Sequence, residues 1–91
     1  MCLATAVELS LHHIHKHPRD DLRANLVMLC GDGTTGCHGK IEAHDSVTSL
    51  QLGRYLLEVR RDAIEYLAQK TGGPEARSEW MLRQFGVYRL D

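Results

Sequence analysis

Residues 30–40 read CGDGTTGCHGK, and within them Gly31-Asp32-Gly33-Thr34-Thr35-Gly36 satisfies G-x-G-x-x-G. That pattern is the loop that lays a dinucleotide pyrophosphate against a helix N-terminus. The immediate context fits: Asn25 to Leu29 reads as a strand, and the residues from Cys37 as the opening of a helix. The rest of the chain does not. A dinucleotide fold needs two mononucleotide-binding halves and an acidic residue about twenty positions beyond the glycines, at the end of another strand. Here that distance falls in Arg54-Tyr55-Leu56-Leu57-Glu58, whose apolar spacing is helical, and 91 residues leave no room for a second half. Lys40 is no Walker lysine either. Five residues separate Gly33 from Gly39, one more than that motif allows, and no Ser or Thr follows Lys40. No nucleotide cofactor is expected, and the informative residues become those around the glycines: Cys30, Cys37 and His38.

The bulk properties set outer bounds. With 43% hydrophobic residues, 25% charged residues and a net charge of -1, the chain has an ordinary globular composition that implies no partner class. No apolar run is long enough to cross a bilayer, and no charged n-region precedes an apolar core, so neither a membrane span nor a signal peptide is expected and the default compartment is the cytoplasm. Cys2, Cys30 and Cys37 make an odd number, which suits a reducing compartment and metal or thiol chemistry better than a disulfide framework. At this size a metal or partner would help a modest core.

Outward from the glycines, the order is strand, loop, strand, loop, helix. Glu8 to Ile14 alternates as a strand with Leu9, Leu11 and His13 on one face, and a polar connection through Pro18 leads to Asn25–Leu29. Beyond His44 the chain becomes helical. Leu52, Tyr55, Leu56, Val59 and Ala63 recur at spacings of three and four, Thr48 and Gln51 are placed like a capping box, and a break is expected near Arg61. Asp62 would cap a further helix through Ile64, Leu67 and Ala68, stopped by Gly72-Gly73. Pro74 suits the first turn of a last helix carrying Ala76, Trp80 and either Met81 or Leu82. The expected fold class is α+β in a single domain, 1–91, with a compact core over 8–45 and a helical extension over 46–91.

All six histidines, at 12, 13, 15, 17, 38 and 44, fall in one stretch of the chain. Imidazole works as a base near neutral pH and is the commonest transition-metal ligand, so a cluster divided between a strand and a nearby helix is a candidate metal site. Neighbours on a strand point to opposite sides, and His12 and His13 reach one site only near a bulge or strand end. One would then bind the cation while the other deprotonates a water beside a scissile phosphate. His38 is the natural second ligand, projecting back onto a hairpin. Glu42, four residues later on the same helix face, is the best third. His44, further round the helix, reads as a surface residue.

The order His12-His13-Ile14, Asn25-Leu26-Val27-Met28-Leu29-Cys30, Cys37-His38-Gly39 resembles the HNH endonucleases, the ββα-metal nucleases. The Leu-Cys-Gly-x-Gly-Thr-Thr-Gly-Cys-His-Gly form is similar to versions found in bacteriophage genomes. The resemblance covers 8–45; the helical remainder is only loosely similar to extensions of such phage proteins. It implies a ββα-metal core in which His13 is the general base, His12 and His38 are metal ligands, and Asn25 holds the loop bearing the base. Where some members carry another histidine, this chain has Glu42. The implied activity is metal-dependent hydrolysis of DNA phosphodiester bonds, by nicking or double-strand cleavage, in the cytoplasm of a bacterial host and beside phage terminase or packaging proteins.

One divalent ion, Mg²⁺, Mn²⁺, Ni²⁺ or Zn²⁺, would stabilise the phosphorane and the leaving oxygen, and His13 would activate the water. The resemblance also implies a structural zinc on cysteines around the last motif. Here Cys30, Cys37 and Cys2 would be its donors, although the family's upstream Cys-x-x-Cys is missing and three thiolates need a fourth donor. Lys16, Arg19, Arg23 and Lys40 are the candidate DNA contacts, with Arg54, Arg60 and Arg61 further along, yet Asp20, Asp21, Glu42 and Glu58 interleave with them. The competing class is a zinc-stabilised nucleic-acid or protein-binding module without turnover.

Overall fold

A computed structural model of the chain describes residues 9–16, 20–32 and 34–90. Among these run β1 (Leu9–His13), a single 3-10 turn (Arg23–Asn25), β2 (Leu26–Cys30) and four helices: α1 (Gly36–Glu42), α2 (Ser46–Val59), α3 (Arg61–Thr71) and α4 (Pro74–Phe85). It is a small α+β fold. The two strands pair antiparallel in unbroken register from Leu9↔Cys30 to His13↔Leu26. The second strand therefore starts one residue later than expected, because Asn25 closes the 3-10 turn.

Period-two alternation places Leu9, Leu11 and His13 on one face, as expected, but that face is the outer one. Leu9, Leu11 and their neighbour Met28 are each more than half exposed, whereas His12, Val27 and Leu29 are buried. The polar residues Ser10 and His12 thus share the inner face with the apolar side chains of β2. Helix α1 covers this face with Ile41 and His38 as its buried residues.

The glycine loop delivers α1 to that position. Gly31 has φ +82° and Gly36 φ +63°, in the left-handed region that glycine tolerates. A Cβ at Gly31 would fall on the Thr35 carbonyl oxygen, and one at Gly36 would lie 2.5 Å from the Cys30 carbonyl oxygen. The loop is folded back on itself too tightly for any side chain at either end. Within it, Asp32 Oδ1 accepts from the backbone N–H groups of Thr34 and Thr35, which fixes the turn.

The helical half differs from expectation at its caps. Asp45, not Thr48, is the N-cap of α2, and its carboxylate accepts from the Thr48 N–H at 2.9 Å and from the Thr48 hydroxyl. Thr48 is itself buried, one turn inside the helix. The break comes at Arg60, where the backbone leaves helical geometry. Asp62 does not cap α3. Its carboxylate binds the Arg60 guanidinium, which also donates to the Leu26 and Arg23 carbonyls and so ties the helix junction to the start of β2. Val59, expected in the apolar stripe, is exposed beside this break.

Gly72, left-handed, ends α3, and Pro74 begins α4, both as expected. Met81 and Phe85 are the buried anchors of α4, while Leu82 faces solvent. A contiguous apolar core runs from Leu29 and Ile41 through Leu52, Leu56 and Leu67 to Met81 and Phe85, joining sheet, α1 and the three-helix layer.

Candidate metal centre

The centre is assembled from the inner face of β1 and one face of α1. His38 and Glu42, four residues apart, share that helix face, and His12 meets them from the strand. One ligand atom from each of the three lies within 4.8 Å of the others. His12 Nδ1 is 3.2 Å from Glu42 Oε1, and His38 Nε2 is 3.4 Å from the same oxygen. The imidazoles meet edge to face with centroids 5.2 Å apart. Nitrogen and oxygen donors at about 2.1 Å from one tetrahedral ion stand about 3.4 Å from each other. The spacing from each imidazole to the carboxylate matches that edge.

Proton placement sharpens the fit. Ser10 has a single hydroxyl proton, and it goes to the Gly31 carbonyl at 2.7 Å, since a carbonyl can only accept. Ser10 Oγ must then accept from His38 Nδ1 at 2.5 Å, so the network assigns the His38 proton to Nδ1 and leaves the Nε2 lone pair toward Glu42. Burial pushes His12 from 6.5 down to about 4, only partly opposed by the Glu42 carboxylate, so this ring is neutral at pH 7. Its Nδ1 is buried and, despite its approach to Glu42, is not aligned for any hydrogen bond. Glu42 in turn stays ionised, held below the usual carboxylate range chiefly by its hydrogen bond to Lys16. Nδ1 of His12, Nε2 of His38 and Oε1 of Glu42 therefore converge, an arrangement that a first-row divalent ion would satisfy.

Asn25 is completely buried and makes three backbone hydrogen bonds: it accepts from His15 N–H at 2.8 Å and donates to the carbonyls of His15 and Asp20, both at 2.9 Å. It clamps the two ends of the connection that follows β1. Tyr66 and Lys70 from α3 hold the Asp20 carboxylate at one of those ends.

His13 is not brought to the cluster. The register contains no bulge, so His13 stands on the opposite face of β1 from His12 and directs Nε2 at Asp21 Oδ1, 2.7 Å away. A carboxylate only accepts, so Nε2 of His13 is the donor of this hydrogen bond. His15 is buried against Trp80, with ring centroids 5.2 Å apart. His44 is exposed and carries the only positive φ of a non-glycine among the described residues, 60°, at the turn after α1.

The expected DNA contacts do not form one stripe. Lys16 Nζ sits between the two oxygens of Glu42, at 2.9 and 2.8 Å. Arg23 lies by the outer face of the sheet in a groove with Leu11 and Met28, and Lys40 is exposed on α1. Arg60 is committed to the helix junction, and Arg19 lies outside the described residues. Of the cysteines, Cys37 N–H donates to Cys30 Sγ at 3.3 Å, and Cys2 lies outside the described residues. Among the described residues, His12, His38 and Glu42 form the only group of three metal-type donors.

Nothing in the sequence pointed directly to Ser10, although it lies two residues before His12 and must share its face. Nor did it point to α4, whose Trp80, Gln84 and Phe85 form one wall of a cleft of about 180 Å³ lined also by His12, Lys16 and Glu42. A larger depression, about 470 Å³ between α2 and α4, is lined by Val47, Leu50 and Leu82 and holds no donor cluster. No helix among the described residues is long and apolar enough to cross a membrane. Comparison with protein-family models, curated proteins and solved structures gives no match.

Proposed function

We propose that the chain is a metal-dependent DNA endonuclease of the HNH, ββα-metal kind, hydrolysing phosphodiester bonds. The observation that supports this best is the convergence of one ligand atom each from His12, His38 and Glu42, brought together from a hairpin and the helix after it. These three side chains would hold a divalent ion, which would supply stabilisation of the negative charge that develops on the phosphoryl and leaving oxygens. Ser10 fixes the His38 tautomer and ring orientation. Asn25 holds the connection after β1 that carries Lys16 to the cleft. His13, donating from Nε2 to Asp21, is the base for the attacking water. Phage DNA, processed beside packaging proteins, is the substrate that the sequence resemblance suggests.

One observation favours a second reading, a metal-stabilised nucleic-acid or protein-binding module. His13 lies across the strand from the cluster, so the base must reach the phosphate from the other face of β1. Plasmid nicking with Mg²⁺, Mn²⁺, Ni²⁺ or Zn²⁺ decides between them. Wild type should nick, His38→Ala should not, and His13→Ala should lose about 10²-fold or more. Full activity in His13→Ala refutes the assigned base, and absence of nicking by wild type with every ion favours the module.

A further inference from the structure

Lys16 occupies an unusual place for a lysine counted among DNA contacts. Its ammonium is chelated by both carboxylate oxygens of Glu42, at 2.9 and 2.8 Å, and Glu42 Oε1 is also the atom on which His12 and His38 converge. Without a metal, the half-buried Glu42 carboxylate needs a cation close by, and Lys16 is that cation. A divalent ion entering the cluster requires the same oxygen. Its charge would stand beside the ammonium, and two positive charges sharing one carboxylate in a half-buried cleft repel.

We propose that Lys16 is a tethered stand-in cation: it neutralises Glu42 in the metal-free protein, is displaced when the ion binds, and passes to an oxygen of the phosphate in the same cleft. This rests on the assignment of His12, His38 and Glu42 as the metal centre. Three features support the exchange. The Lys16 and Glu42 side chains are both about one-third exposed, so the ammonium can leave without stranding a buried charge. The cleft beside them is lined by the neutral or polar groups Trp80 and Gln84, with no acidic side chain other than Glu42 among the described residues of its walls. And Lys16 is on the connection that Asn25 anchors, so its stem moves from a fixed base. The consequence is coupling. An oxyanion that takes Lys16 tightens the metal, and the metal by reciprocity tightens the oxyanion.

The test is Co²⁺ binding to the whole chain, followed by calorimetry and by the ligand-field absorption of the bound ion, for wild type, Lys16→Met and His38→Ala. Lys16→Met keeps the aliphatic stem and removes the competitor, so Co²⁺ should bind about fivefold more tightly than to wild type, the worth of a partly exposed ion pair. Sulfate, compared with chloride at equal ionic strength, should tighten Co²⁺ binding to wild type, and this effect should shrink or vanish in Lys16→Met. Unchanged or weaker Co²⁺ binding in Lys16→Met overturns the proposal, as does a sulfate effect absent from wild type or equal in both proteins. His38→Ala separates the two levels. If it leaves Co²⁺ affinity intact, the metal centre itself is refuted; if it abolishes binding while Lys16→Met changes nothing, only the exchange is.

Discussion

Replacing Asn25 by alanine tests how the metal centre is tied to the fold. The side chain is fully buried, and each of its three hydrogen bonds goes to backbone: His15 N–H, His15 C=O and Asp20 C=O. Alanine strands all three. A typical hydrogen bond contributes about 1 kcal/mol net, and a buried group left without a partner costs about 1–3 kcal/mol. The carbonyl of Asp20 lies nearer solvent and recovers water, while the His15 groups are buried with the bond. The sum is about 3 kcal/mol, against a total stability of about 5–14 kcal/mol for a chain of this length.

Urea unfolding followed by far-UV circular dichroism should therefore show a lower midpoint at unchanged m. Asn25→Asp refines the reasoning. It keeps the acceptor for His15 N–H but turns a carboxylate oxygen toward two carbonyls, so the introduced carboxyl has a raised pKa in the folded state. It should be at least as destabilising as alanine at pH 7 and recover as pH falls and the group gains a proton to donate. A loss below about 1 kcal/mol in Asn25→Ala, or an Asn25→Asp penalty that grows on acidification, refutes the clamp.

Three further outcomes follow from the geometry. Because burial holds His12 near 4 against 6.5, the unfolded chain takes a proton that the folded chain refuses; stability should be full above pH 6.5, fall on acidification, and level off near pH 4. The limit is about 3 kcal/mol at 1.36 per unit, read as the difference in slope between wild type and His12→Asn in pH-dependent urea unfolding; equal slopes refute it. A divalent ion at a hundred times its dissociation constant should add about 2.7 kcal/mol and raise Tm by roughly 10 °C or more, an effect lost in His38→Ala and kept in His44→Ala, read by differential scanning calorimetry. Gly36→Ala should cost about 3 kcal/mol or more, from its positive φ and its collision with the Cys30 carbonyl. Gly72→Ala, in open space, should cost only about 1 kcal/mol, and equal losses in chemical denaturation would refute the steric account.

What could be read from the chain alone divides by range. Gly72 and Pro74 mark helix boundaries by local chemistry, and both do so in the structure. Asp45 is equally local, yet Thr48 with Gln51 mimicked a capping box and drew the start of α2 three residues too far along. The three donors were legible because two are set by helix spacing and the third lies on the histidine-bearing strand that pairs with the strand before that helix.

The orientation of β1 was not legible, for a reason peculiar to functional strands. Alternation tells which residues share a face, and the ordinary inference is that the apolar set turns inward. Here the inner set is Ser10 and His12, which face α1 and put a hydroxyl against His38 and an imidazole against Glu42. Leu9 and Leu11 are left in solvent as the consequence. The same inversion decides where His13 points. A strand that turns His12 toward α1 cannot, without a bulge, present the next residue to the same cluster. The continuous register from Leu9 to His13 therefore makes the path from His13 to the phosphate, more than the His12–His38–Glu42 cluster, the feature on which the proposed hydrolysis depends.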